Sequence, residues 1–548
     1  MPRLFTLGIL VAALLSLAPI GNALAGNDPP PISNYLWGFY FSNFTLTAAA
    51  PGPNYHVVGD VFIQPGVTMT VEPGVTVFFS ANRDTLNGSD YFYDSEIVSE
   101  GSIVAIGTQV DSISFTSDAS TKAQNDWGQI KISGNGSGTF QFCKIEYPSL
   151  GINKSGPNSL SVQNCSFKAT GNNSVWAKGG NVTIRNSRIT VSYGDGMSFS
   201  SLTSLVCQYN RIEMVSGMGL LCQNCSNCNV SFNQITQAGA YGIYTNDTNA
   251  AIQFNRVSNC NGLFGINVNS HSLPIVVLGD TVDGGNETRG ILMTGGQPDT
   301  VRNCLVMNLP YAHGIYAAAS GVSIENCLVH HVDTHGIYLG GPSTRAIYST
   351  VSNCRDGVYV AGSGCLVKDL ITVNNLWFGV ENTSGSDVSY VNSWNNGSGQ
   401  YSGLPCSVGC YSINPWFVNP ASGDYHLLQN APLRVLGEGG TQMGRYGPAP
   451  GDVTGVGPGG SYPVAYLFAN SPNPFKGQTT ISFLSRESGL GVVQVFDVNG
   501  RKLREMQIRA EQGLNEIRFE RGDLGPGLYF YRVSLPGFRE VRKLVITD

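Results

Sequence analysis

The chain has 548 residues, of which 12% are charged and 42% hydrophobic, with 68 Gly and a formal charge of -6. So little charge excludes long solvated helices and a basic nucleic-acid-binding domain, while so much Gly calls for many tight turns. The length suffices for two or more domains around a sizeable core.

The N-terminus "MPRLFTLGILVAALLSLAPIGNALAG" places Arg3 before an apolar run and ends on Ala23-Leu24-Ala25. A charged start, an apolar stretch and a small-x-small exit predict a secretory signal peptide over residues 1–25. The stretch is short for a membrane anchor and contains Pro19, and no later run is long and apolar enough to span a bilayer. The mature chain is expected to be exported, without a membrane span.

Residues 26–140 are expected to form an N-terminal cap and the first turns of a coil, and residues 141–447 its remaining turns and C-terminal cap. A column of glycines sets the period: Gly196, Gly219, Gly242, Gly265, Gly290, Gly314, Gly336, Gly357 and Gly379, at steps of 21 to 25 residues. A second column, 12 to 15 residues after each Gly, reads Asn164, Asn186, Asn210, Asn233, Asn255, Asp280, Asn303, Asn326, Ser349, Asp369 and Asn392. Two columns with one period constitute a repeat. Within each unit the segments are short, β-branched and alternating, with no lasting 3.6-residue stripe. A unit of about 23 residues with short strands is one turn of a parallel β-solenoid. Stacked side-chain amides would satisfy one another along the Asn column, and Gly would allow the bend that starts each strand. Met197, Phe199, Ile243, Ile266, Val268, Ile315, Ile337, Leu339, Val358 and Val360 should face the core.

Two positions after Gly, the side chains should face solvent. Tyr316, Tyr338 and Tyr359 then form a ladder on adjacent turns over roughly 10 Å, with Tyr244 earlier and Glu381 later in the same column. The position before Gly carries Arg289, His313, His335 and Asp356 in succession, with Glu287 and Asp333 near the same edge. Tyrosines beside ionisable groups suit a glycan, whose C–H faces pack on rings while its hydroxyls take hydrogen bonds. Chemistry on that edge would use His313 or His335, paired with Asp356 or Asp333, as general base, and Arg289 to neutralise an acidic sugar. Histidines that are buried, or more than about 10 Å apart, could not share a reacting group. The structural alternative is that Tyr is an ordinary strand residue and that His merely bonds a turn carbonyl.

Of the 13 Cys, Cys143 with Cys165 and Cys304 with Cys327 are one repeat apart, as stacked core residues would be. "CQNCSNC" (Cys222, Cys225, Cys228) reads as packing ahead of metal binding, and Cys406 and Cys410 as a local disulfide. Residues 448–461, rich in Gly and Pro, read as a linker. Residues 462–548 change character, with 12 Lys/Arg against 9 Asp/Glu. Their alternating segments "GVVQVFDV" and "LYFYRVSL" predict a small antiparallel sandwich, and Asn499-Gly500 a type I′ hairpin turn.

With "YHVVGDVFIQPGVTMTVEPGVTVFF" at one flank and "NPWFVNPASGDYHL" at the other, residues 55 to 445 resemble bacterial right-handed parallel β-helix repeat proteins, the group of pectate-lyase-like folds. The tail, through "NSPNPFKGQTTISF", "GLYFYRV" and "RKLVI", resembles the C-terminal sorting domain of type IX secretion substrates, which is immunoglobulin-like. The resemblances imply an all-β chain, a solenoid followed by a sandwich, handled by the type IX machinery and placed outside the cell or on its surface. Together with the tyrosine ladder, the expected role is binding a polysaccharide along an exposed face, or alternatively that of a carbohydrate-active enzyme of the pectate-lyase-like fold, a polysaccharide lyase or glycoside hydrolase. The "NTD", paired-Asp and "RIK" stretches of polygalacturonases are missing, as is the epimerase "DPHE". No cofactor is expected; calcium would need clustered acidic ligands, which Asp333, Asp356 and Glu381 supply thinly.

Overall fold

The computed structural model describes residues 34–446 and 465–548, except 50–53, 82–93, 270, 285–288, 312, 404–405, 429–430, 468–469, 471, 486–487 and 512. The expected signal peptide over 1–25, the expected linker over 448–461 and Glu287 lie outside the described residues. The described residues are built from β-strands, with only three short 3-10 turns near the end of the solenoid.

Each turn of the coil gives one strand to each of three parallel sheets. The first sheet includes Ile152–Ser155, Met197–Ser200, Tyr241–Asn246 and Ile315–Ala317 and closes with Gly399–Gly403. The second includes Leu160–Gln163, Ser204–Gln208 and Ser323–Glu325. The third includes Ser166–Thr170, Arg211–Val215 and Leu305–Leu309. Register is kept from turn to turn, as in Val175↔Met197↔Leu220↔Ile243. Alternation then fixes the core. All ten residues expected to point inward, from Met197 to Val360, are fully buried, each apolar side chain stacked on its equivalents above and below.

The glycine column has a different cause from the expected bend. None of these glycines has a positive φ. Instead, a Cβ at Gly219 would stand 2.6 Å from the Gly242 carbonyl oxygen, and one at Gly314 would stand 2.4 Å from that of Gly336. Neighbouring turns approach so closely at the start of the first sheet that any side chain would collide with backbone.

The asparagine column resolves into two adjacent ones. Asn164, Asn186, Asn303, Asn326 and Asp369 take a left-handed φ between 50° and 58° at the corner between the second and third sheets. Short polar side chains tolerate that conformation best. Asn210, Asn233, Asn255, Asp280 and Ser349 occupy the next position, buried inside the corner. There the expected amide ladder exists: Asn210 Nδ2 donates to Asn233 Oδ1 at 3.0 Å, Asn233 to Asn255 at 3.0 Å, and Asn255 to Asp280 at 2.8 Å. The same oxygens accept the backbone N–H groups that the corner frees from the sheet, with Asn210 N to Asn233 Oδ1 at 3.0 Å.

Cys143, Cys165, Cys222, Cys225, Cys228, Cys304 and Cys327 are buried in this core. At the C-terminal end, Leu427, Leu433, Leu436 and Met443 pack on Ile371 and Val373, and Cys406 is disulfide-bonded to Cys410. The tail pairs Gln478–Ser485 with Ala465–Leu467 and Gly513–Glu520 in one antiparallel sheet. A second sheet orders Lys502–Ala510, Gly489–Phe496, Gly527–Leu535 and Phe538–Ile546. Both close on a core that includes Phe483, Val493, Phe519, Tyr531 and Leu544. The Asn499-Gly500 turn is not type I′, because Gly500 has a φ of 80° while Asn499 is not left-handed. Gly500 N donates to Asp497 O at 3.0 Å and the register shifts beside the turn. This is a type I turn followed by a bulge.

Candidate functional site

The site lies on the outer surface of the first sheet. Tyr316, Tyr338 and Tyr359 stand in register on successive turns, with Glu381 next. The Tyr338 and Tyr359 rings stack at 5.1 Å, and Tyr316 meets Tyr338 edge-on at 4.6 Å. In the neighbouring column the His313 and His335 rings are 5.1 Å apart. His335 lies nearly parallel to Tyr359 at 4.5 Å, and His313 is 4.8 Å from Tyr338. The two histidines and three tyrosines form one contiguous aromatic cluster.

Its burial is uneven. His313 and the tyrosines are half-buried, whereas His335 is 9% exposed and Asp356 fully buried. His335 Nδ1 is 3.6 Å from Asp356 Oδ2, too long for a hydrogen bond. Asp356 Oδ1 instead accepts the Phe378 N–H at 3.2 Å and braces the next turn. Burial, then the cations Arg289 and Arg355, pulls His313 down to about 4. Burial, then His313 and Arg355, pulls His335 down to about 3. Both rings are therefore neutral at neutral pH. Burial, followed by Asp356, raises Glu381, and burial, followed by Tyr316 and Tyr359, raises the Tyr338 phenol.

A cation bounds the cluster at each end. The Arg289 guanidinium lies 5.5 Å from the Phe264 ring centre and that of Arg355 lies 4.7 Å from Trp377. Arg355 also approaches Asp356 at 3.5 Å. The sequence reading did not single out Arg355 and Trp377. They occupy one column, two positions before Gly357 and Gly379, and reading that column would have found them. The hydroxyls of Tyr316, Tyr338 and Tyr359 make no hydrogen bond among the described residues and remain open to a ligand.

Two of the anticipated residues stand apart. Tyr244 shares the tyrosine column, but Asn267 and Leu292, both buried, separate it from Tyr316. Its ring lies against Tyr241 at 5.1 Å. Asp333 is exposed, within an irregularity between Val332 and His335. Among the described residues, no three His, Cys, Asp or Glu side chains are grouped as metal ligands.

A coil of three parallel sheets with a separate antiparallel sandwich defines a repeat solenoid carrying an accessory domain. Residues 107–261 and 246–396, more than half of the chain, match the family described as "Right handed beta helix region", and the chain belongs to that family. Residues 38–141 match "Pectate-lyase like beta helix domain" and residues 471–547 "Secretion system C-terminal sorting domain". The sorting domain marks a type IX secretion substrate, extracellular or held at the cell surface. No curated protein matches the chain. Among solved structures, a mutant of the periplasmic alginate epimerase AlgG is 15% identical over 66% of this chain and 77% of its own, with a TM-score of 0.29. ORF18 of Geobacillus virus E2 is 9% identical over 91% and 70%, with a TM-score of 0.16. The enzymatically active domain of tailspike protein 2 of bacteriophage CBA120 is 9% identical over 89% and 72%, with a TM-score of 0.15. No helix among the described residues is long and apolar enough to cross a membrane.

Proposed function

We propose that this exported β-helix binds a linear polysaccharide along the outer face of its first sheet. The observation that carries the reading is the row of three tyrosine hydroxyls, in register and without protein partners, bounded by Arg289 and Arg355. A structural aromatic stack needs no hydroxyls; three of them, repeated at about 4.8 Å, suit the hydroxyls and ring oxygens of a polymer lying along the axis. Binding is favoured over catalysis because His335 and Asp356 are shut away from solvent and would reach no substrate.

The test is a glycan array followed by calorimetric titration of the purified chain and of the triple variant Tyr316→Phe/Tyr338→Phe/Tyr359→Phe. Phenylalanine keeps the ring contacts and removes only the hydroxyls. The expected outcome is glycan binding by the natural chain, loss in the variant with an unchanged melting temperature, and no new reducing ends or unsaturated products. Equal binding by the variant refutes the reading. Product formation that disappears in His335→Ala would establish the enzymatic alternative in its place.

A further inference from the structure

A second surface lies on the third sheet and the corner before it. One outward column there reads Lys144, Ser166, Arg188, Arg211, Gln234 and Arg256, each in register with the next. Its five steps span about 24 Å at the usual strand spacing. The side chains of Arg188, Arg211 and Arg256 are 58%, 54% and 51% exposed. Lys168 and Arg185 project beside them. Among the described residues, only Glu146, Glu213 and Asp283 oppose these six cations on the same face. Glu213 is shared, 2.8 Å from Arg188 and 2.5 Å from Arg211. The strip therefore carries a surplus of positive charge on a chain whose formal charge is -6.

Stacked aromatics line the same strip. Tyr209, Phe232 and Phe254 occupy the left-handed corner positions of successive turns, each just before the buried amide ladder. They stack at 4.9 Å and 5.2 Å within 15° of parallel, and stay 44% to 55% exposed. Stacking covers both faces of Phe232 and one face each of Tyr209 and Phe254, and leaves the ring edges outward. Ring edges carry the positive end of the aromatic quadrupole, so they reinforce the guanidinium column.

We propose that this strip binds a linear anionic polysaccharide, its carboxylates or sulfates paired with the arginine column, at a site independent of the tyrosine band. The polymer would run parallel to the coil axis, because only in that direction do charge and ring edge repeat together.

The test is affinity electrophoresis of the full chain in gels holding dextran sulfate, a polyuronate, neutral dextran or duplex DNA. Dextran sulfate or the polyuronate should retard the chain in a salt-sensitive way, with stronger retardation by one of them naming the anionic group; neutral dextran should not. Arg188→Gln/Arg211→Gln/Arg256→Gln should weaken retardation about tenfold, as the loss of three exposed charge contacts allows. Glu213→Gln frees two arginines and should strengthen it, a gain that a misfolded variant could not produce. The fold loss caused by the three arginine substitutions should be the same in the tyrosine triple variant as in the natural chain. Undiminished retardation of the arginine variant, weakening by Glu213→Gln, or retardation by DNA matching that by dextran sulfate overturns the proposal.

Discussion

Asp280 ends the buried amide ladder with the wrong functional group, and the consequence is measurable. Its Oδ1 accepts Asn255 N at 2.7 Å and Asn255 Nδ2 at 2.8 Å, as an amide oxygen would. Its Oδ2 is buried without a partner. Burial outweighs the hydrogen bonds and pushes the carboxyl from 3.8 up to about 7. The unfolded chain thus releases this proton near its ordinary value and the folded chain only near neutrality. Stability is unaffected below about pH 4, falls as pH rises towards 7, and stays lowered above it. At about 1.36 kcal/mol for each pH unit between the two values, the penalty reaches on the order of 4 kcal/mol. Asp280→Asn removes the charge. It also supplies an Nδ2 donor of the kind that Asn210, Asn233 and Asn255 direct to the carbonyls of Ile184, Cys207 and Val230; the equivalent carbonyl for position 280 is that of Ile252. Denaturant unfolding of the variant and the natural chain at pH 8 and pH 4.5 measures the effect. The variant should gain about 2–4 kcal/mol at pH 8 and much less at pH 4.5. A variant less stable at pH 8, or one whose advantage is the same at both values, would refute the reasoning.

The histidine pair gives the opposite sign. Burial holds His313 near 4 and His335 near 3, so the unfolded chain takes up protons first as pH drops below about 6.5 and stability declines over that window. Ring resonances of both histidines should stay constant from pH 7.5 to pH 5 in NMR, and a ring titrating near its ordinary value would contradict the packing. Gly314→Ala puts a Cβ 2.4 Å from both the Gly336 carbonyl oxygen and Val329 Cγ1. It should lower unfolding free energy by about 1–3 kcal/mol or more, whereas Gly296→Ala, also in the solenoid and meeting nothing within 4 Å, should change the same midpoint little. Phe232→Ala empties the middle of the corner stack; with the residue already 44% exposed, circular dichroism melts should show a loss of about 1 kcal/mol, below the usual cost of about 3–5 kcal/mol for a buried Phe.

Periodicity makes the architecture legible, because a solenoid writes one local environment many times and every inward residue from Met197 to Val360 repeats the vote. What it cannot separate is neighbouring columns of similar composition. Asn303 at a left-handed corner and Asn255 inside it answer to different physics, one to backbone strain and the other to unpaired N–H groups. An alignment by period alone merges them, since the two positions are adjacent and both favour Asn. The site shows the same limit. Tyr316, Tyr338 and Tyr359 were readable as outward from alternation, and the register brings them together. Yet outward does not mean exposed: His335 is covered by the rings it stacks with, and Leu292, in the tyrosine column itself, is 7% exposed. Exposure on such a face depends on the size of the neighbours one turn above and below, so side-chain volume along each column must be read together with its polarity. Large rings at Tyr338 and Tyr359 therefore decide that the imidazole packed against them is a packing element, while the phenol oxygens, at the far tips of the same rings, stay without protein partners among the described residues.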